Sequence, residues 1–97
     1  MNFPVLSSAQ FLAGNTTVSG TLSINGAPNL ATVEVFRARF DPSGYGEGEL
    51  YVGSATPDAF GNWTLVTNAL LPEDFVTATA TDSANNTSEF CQNAMVF

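Results

Sequence analysis

The chain has 97 residues, nine acidic against two basic, and a net charge of −7 at pH 7. That length builds one domain, residues 1–97, around one core. It has no His, no Lys and a single Cys, which excludes a Ser–His–Asp triad, a Schiff-base lysine, a His-based zinc site and an internal disulfide.

Taken in chain order, the sequence shows seven short β-rich stretches: residues 3–7, 16–24, 31–40, 48–56, 62–68, 75–82 and 87–96. Gly, Pro, Asn and Asp separate them, and no window holds a helical apolar spacing. Pro4 places the first stretch at a sheet edge, where a missing N–H is harmless. Asn25-Gly26-Ala27-Pro28-Asn29 is a turn. In the third stretch Val33 and Val35 point one way and Glu34 the other. Asp58-Ala59-Phe60-Gly61-Asn62 puts Gly where a short hairpin wants positive φ. Trp63 and Leu65 alternate with Thr64, and Leu71-Pro72-Glu73-Asp74 is another turn. In the sixth stretch Val76, Ala78 and Ala80 form a core row that leaves room for the Trp63 indole. Thr77, Thr79 and Thr81 form a row facing solvent. Ser83-Ala84-Asn85-Asn86 closes the next turn, with Asn tolerating the left-handed region. The fold class that follows is an all-β antiparallel sandwich of about seven strands.

The acidic balance argues against nucleic acid and anionic membrane surfaces as partners. No segment approaches the length of a transmembrane helix, so no membrane insertion is expected. The start, Met1-Asn2-Phe3-Pro4, lacks the basic and long apolar regions of a signal peptide. Either the chain stays inside a cell or it is a module of a longer exported protein.

The most distinctive segment is the acidic, Gly-rich loop 41–48, which interrupts a hairpin that far fewer residues could close. Asp41, Tyr45 and Glu47 are its candidate binding residues; an ordinary turn at Asp41-Pro42-Ser43 is the competing reading. Glu47 and Glu49 would share one side of a strand, but acid–base chemistry needs carboxylates held across a cleft. No catalysis is expected. Calcium is the cation that this oxygen-rich composition suits. Asp58 and Asp82 are the candidate metal ligands, weighed against a role as caps that bond nearby backbone N–H groups. Cys91 reads as a small buried hydrophobe, with an intermolecular thiol as the alternative. Phe36 and Tyr51 are too few by themselves to define a binding surface.

Val33-Glu34-Val35-Phe36, Gly53-Ser54-Ala55-Thr56 with Asp58–Thr64, Val76–Asp82 and Asn86-Thr87-Ser88 together resemble bacterial immunoglobulin-like repeat domains of large cell-surface, adhesin-like proteins. The resemblance covers about residues 31 to 90. It departs at Asn85, where Gly is usual, and at Cys91, whose partner position before the 41–48 loop is Phe40 here. The resemblance implies that the sandwich is immunoglobulin-like, and that the chain is an extracellular, non-catalytic spacer or adhesive module with no cofactor. Its partners would be neighbouring immunoglobulin-like repeats or a host or environmental surface ligand. A subunit that polymerises by lending a terminal strand to an identical neighbour is the alternative. Tracing alternate strands puts Asp58 and Asp82 at one end, and Asp41, Glu47, Glu73 and Asp74 at the other. Stacked repeats would bring two acidic ends together, where Ca²⁺ could bridge the joint.

Overall fold

A computed structural model describes residues 4–23, 30–38, 48–91 and 94–97, without the side chain of Glu49. Its seven strands are β1 (Val5–Leu12), β2 (Asn15–Thr21), β3 (Thr32–Ala38), β4 (Gly48–Ala55), β5 (Asn62–Thr67), β6 (Phe75–Thr81) and β7 (Ala94–Met95). They form two antiparallel sheets, one ordered β1-β2-β5 and the other β4-β3-β6-β7. The chain crosses between the sheets after β2, after β4 and after β5, the Greek-key pattern of an immunoglobulin-like sandwich.

Alternate residues of both sheets meet in one core. It holds Ala9, Val18, Val33, Val35, Trp63, Val76, Ala78 and Ala80 from the strands, with Leu22, Ala31, Leu70, Cys91 and Val96 closing the ends. Trp63 is buried with Ala78 and Ala80 in that cluster, as the small residues of β6 imply. Its place also depends on Gly20, its direct partner across β2 and β5. A Cβ at position 20 would strike the Val5 carbonyl oxygen and lie 2.6 Å from the indole Cζ2. Gly20 is therefore the floor on which the indole lies, a cross-strand pairing of glycine with an aromatic ring.

Three features differ from the expectations. The first strand runs on to Leu12, because Ala13 and Gly14 both take positive φ (54° and 88°) and make a two-residue hairpin with β2. Thr77 and Thr79 are buried rather than solvated, so β6 is covered on both faces. Among the described residues of the last stretch, Ala94–Met95 is the regular strand. Upstream of it a single bridge joins Thr81 to Thr87. There the N–H groups of Ala80 and Ala78 donate to side chains, the Ser88 hydroxyl at 2.9 Å and the Cys91 sulfur at 3.3 Å. Side-chain atoms thus satisfy donors that a regular partner strand would have met with carbonyls.

Strand direction sets two poles. Val5 pairs with Thr21, and Thr21 with Asn62, so β1 begins at the pole of the Asp58 turn. Thr32 pairs with Thr81, which brings the Asp82 turn to the same pole. The opposite pole carries the β1–β2 hairpin, the turn through Glu73 and Asp74, and the end of β7. There the Glu73 N–H donates to the Val96 carbonyl at 2.8 Å and the Val96 N–H to the Asp74 carbonyl at 2.9 Å. Phe97 then lies parallel to β1: its N–H donates to the Ala9 carbonyl at 3.1 Å, and its carbonyl accepts from the Phe11 N–H at 2.7 Å. This seam ties the edge of one sheet to the edge of the other.

Candidate binding face

The outer surface of the four-stranded sheet has a sharply divided composition. Register places Met95, Phe75 and Ala38 in one row across β7, β6 and β3. Thr77, Phe36 and Tyr51 form the next row, across β6, β3 and β4. Below them lie Thr79, Glu34 and Ser54, then Thr81 and Thr32. Among the described residues of these rows, one half is mainly apolar and aromatic and the other carries hydroxyls and the Glu34 carboxylate.

The aromatic half is built by Phe36. Its ring packs edge-to-face on Tyr51 at 5.7 Å between centroids and on Phe90 at 5.4 Å, the geometry that ring quadrupoles favour. Phe36 stands on β3 and Phe90 on the segment beyond β6. With strands about 4.8 Å apart, two rings that flank β6 can touch only by leaning over it. That roof buries the Thr77 and Thr79 row. The Thr77 hydroxyl is satisfied beneath it by donating to the Cys91 carbonyl at 2.9 Å. Tyr51 stays 53 % exposed at the edge of the cluster. In the sequence Phe36 and Tyr51 are too few to define a surface, and Phe90, whose only local signal is its place in a strand-like stretch, gives no sign of joining them.

The outer face of the other sheet is different in kind. Ser8, Ser19 and Thr64 share one row, and Gln10, Thr17 and Val66 the next. The Ser19 and Thr64 hydroxyls are 3.3 Å apart. These two rows offer hydrogen-bonding groups to water and hold no aromatic ring.

Of the candidate residues read from the sequence, Asp41, Tyr45 and Glu47 lie outside the described residues, as does the side chain of Glu49. Asp58 and Asp82 are far apart in function from any shared ligand set, since each is spent on its own turn. Asp58 Oδ1 accepts the N–H groups of Phe60 at 2.8 Å and Asn62 at 3.0 Å. Asp82 Oδ1 accepts those of Ala84 at 3.0 Å and Asn86 at 2.9 Å, and its Oδ2 accepts the Asn86 amide at 3.2 Å. The Asn86 N–H, helped by the Asn86 side chain and the Ala84 N–H, holds the Asp82 carboxyl below the usual carboxylate range. Among the described residues, no three of Asp, Glu, Cys and His gather as metal ligands would. Cys91 is buried and free. Burial pushes its thiol up, against the opposing effect of the Thr77 hydroxyl and the Ala78 N–H, which disfavours the reactive thiolate.

The architecture is that of an immunoglobulin-like β-sandwich whose exposed chemistry lies on sheet faces and turn tips. No protein-family model matches the chain, and no curated protein matches it.

Proposed function

We infer that this chain is a non-catalytic module of an extracellular bacterial repeat protein, acting as a spacer or binding domain. The observation that carries this reading is the polarity of the fold. β1 starts at the pole of the Asp58 and Asp82 turns, and β7 runs toward the pole of Glu73 and Asp74. A module entered at one pole and left at the other extends an array without folding it back. The Ser-, Thr- and Asn-rich surface supports an exported setting, and the face of Phe36, Tyr51 and Phe90 is where a surface ligand would sit. Phe97 already lies along β1, in the place a neighbour's strand would need at that seam. This favours a spacer or binding module over a subunit completed by a donated strand.

The experiment compares the full chain with two copies joined in tandem, by small-angle scattering and thermal unfolding, in calcium and in chelator. An extended two-copy particle of nearly twice the length is expected, with calcium stiffening the joint between the acidic poles. A two-copy particle folded side by side would overturn the reading of polarity. Length and melting temperature that ignore calcium would remove the cation from the joint.

A further inference from the structure

Sheets block the addition of further strands with bulges, short edges, charges and covering segments. Among the described residues, three of the four edge strands carry such a guard. On β1 the outward groups of Ala9 and Phe11 are occupied by Phe97, and a register shift between Leu6 and Ser8 bends the strand. β4 has two register shifts, and β7 is two residues long. β5 has none of these. Its six residues run in unbroken register with β2, and they include no Pro and no charged side chain.

The ladder fixes which backbone groups of β5 face outward. The Leu22 N–H donates to the Gly61 carbonyl at 2.7 Å, and bonded pairs alternate along an antiparallel ladder. Trp63 and Leu65 therefore bond to β2, while the N–H and C=O groups of Asn62, Thr64 and Val66 point away from it. The Asp58 turn takes both Asn62 groups: the Asn62 N–H donates to Asp58 Oδ1 at 3.0 Å, and the Asn62 carbonyl accepts the Asp58 N–H at 2.9 Å. No described residue meets the four groups of Thr64 and Val66. Both residues are exposed, Val66 at 60 %.

Charge selects the occupant. Residues 1–33 and 59–72 contain no Asp, Glu, Lys or Arg, and β1, β2 and β5 all lie within them. One whole sheet is thus uncharged, while the nine acidic residues fall on the other sheet and in connecting segments. Two copies of a chain of net charge −7 repel least when they meet through that sheet. The open window, Thr64 to Val66, gives a foreign peptide few side chains to be read by, whereas a second copy matches it group for group. We propose that two copies join β5 to β5, antiparallel and centred on Leu65. Thr64 of each copy then pairs with Val66 of the other, and the four open groups of each copy close as four N–H···O bonds. Leu65, which packs against the core and covers Gly53 of the other sheet, meets its own counterpart on the inner side, in the closer, non-hydrogen-bonded kind of pair. The contact is isologous and closes at two copies. The joined sheet ends on both sides at β1, where Phe97 holds the edge. The pairing lies across the pole-to-pole direction and does not depend on the array reading.

The test follows the full chain by sedimentation equilibrium and amide hydrogen exchange up to about 1 mM, a range that reaches weak contacts. A monomer–dimer equilibrium without larger species is expected. The Thr64 and Val66 N–H groups should exchange fast in the monomer and slow as the dimer forms, while those of Trp63 and Leu65 are protected throughout. Thr64→Glu and Val66→Lys each place a charge at an exposed position, and each alone should weaken self-association at least tenfold with the melting temperature unchanged. An equal mixture of the two variants should associate more tightly than either alone, because the register sets position 64 of one copy against position 66 of the other. A chain that stays monomeric, association indifferent to both variants, no gain on mixing, or protection gained away from β5 would each overturn the proposal. In the tandem comparison, Thr64→Glu in both copies removes this contact, so failure of the pole-to-pole reading and failure of this one are read separately.

Discussion

The two Asp-capped turns are built on one frame and do different work. In each, the Asp carboxylate accepts two N–H groups, its N–H donates to the carbonyl four residues on, and its carbonyl accepts from the residue in the left-handed region. That residue is Gly61 (φ 87°) in one turn and Asn85 (φ 64°) in the other. The Asp82 turn stands clear of the core and returns the chain beside β6. The Asp58 turn carries the chain from one sheet to the other and is clamped to the body, the Leu22 N–H donating to the Gly61 carbonyl at 2.7 Å. A Cβ at 61 would strike the Leu22 carbonyl oxygen. Local hydrogen bonds thus set the shape of both turns, and the surroundings decide which substitutions each tolerates.

Substitution at the left-handed position should separate the turns most. Gly61→Ala combines a disfavoured φ with a backbone collision and should cost about 3 kcal/mol or more. Asn85→Ala meets only the conformational penalty, about 1 kcal/mol. Urea unfolding of both variants checks this, and equal losses would mean that the Leu22 clamp contributes nothing.

Removing the caps should come next. Asp58→Ala strands two N–H donors at an exposed turn and should cost about 1 kcal/mol. Asp82→Ala loses the Asn86 amide bond as well, so its urea midpoint should fall further than that of Asp58→Ala. The reverse order would show that the extra amide bond is idle.

The pH dependence sharpens the same contrast. The folded Asp82 carboxyl titrates below its ordinary value. Its contribution is therefore complete above the ordinary carboxylate range and is lost as the pH falls toward the folded value. Asp82→Asn should flatten part of the acid limb of a stability–pH profile, leaving stability at neutral pH as the reference. An unchanged acid limb would assign the loss to other carboxylates.

The smallest effect belongs to the tips. Exchanging them, Phe60→Ala and Ala84→Phe, should leave the unfolding free energy within about 0.5 kcal/mol of the parent. A large loss at Phe60→Ala would place the ring within the fold's own packing.

Local signals were readable from the sequence where one strand or one turn carries them. The period-two rows of β3 and β5, the capping role of Asp58 and Asp82, and the left-handed Gly61 and Asn85 all fall in that class. Partners distant in the chain hid the rest. The alternation of β6 cannot reveal that Phe90 leans back over Thr77. The Asp58 and Asp82 turns read alike, though only one changes sheets, because the chain that follows pairs with β2 in one case and with β6 in the other. Ala13 concealed the first hairpin, since alanine rarely takes its φ. The aromatic face needed three separate segments to meet, and the candidates Asp41, Tyr45 and Glu47 fall outside the described residues.

The seam between Phe97 and β1 matters when the molecule is under tension. Pulling on the two poles drags β1 and the segment through Phe97 in opposite directions along parallel lines. The Phe11–Phe97 and Phe97–Ala9 hydrogen bonds lie across that direction, so they are loaded in shear and must yield together rather than open one after another. The rate of forced unfolding is governed by the barrier to that joint rupture and not by equilibrium stability. A substitution that spares the melting temperature yet breaks this short parallel pair should lower the force at which the domain unfolds.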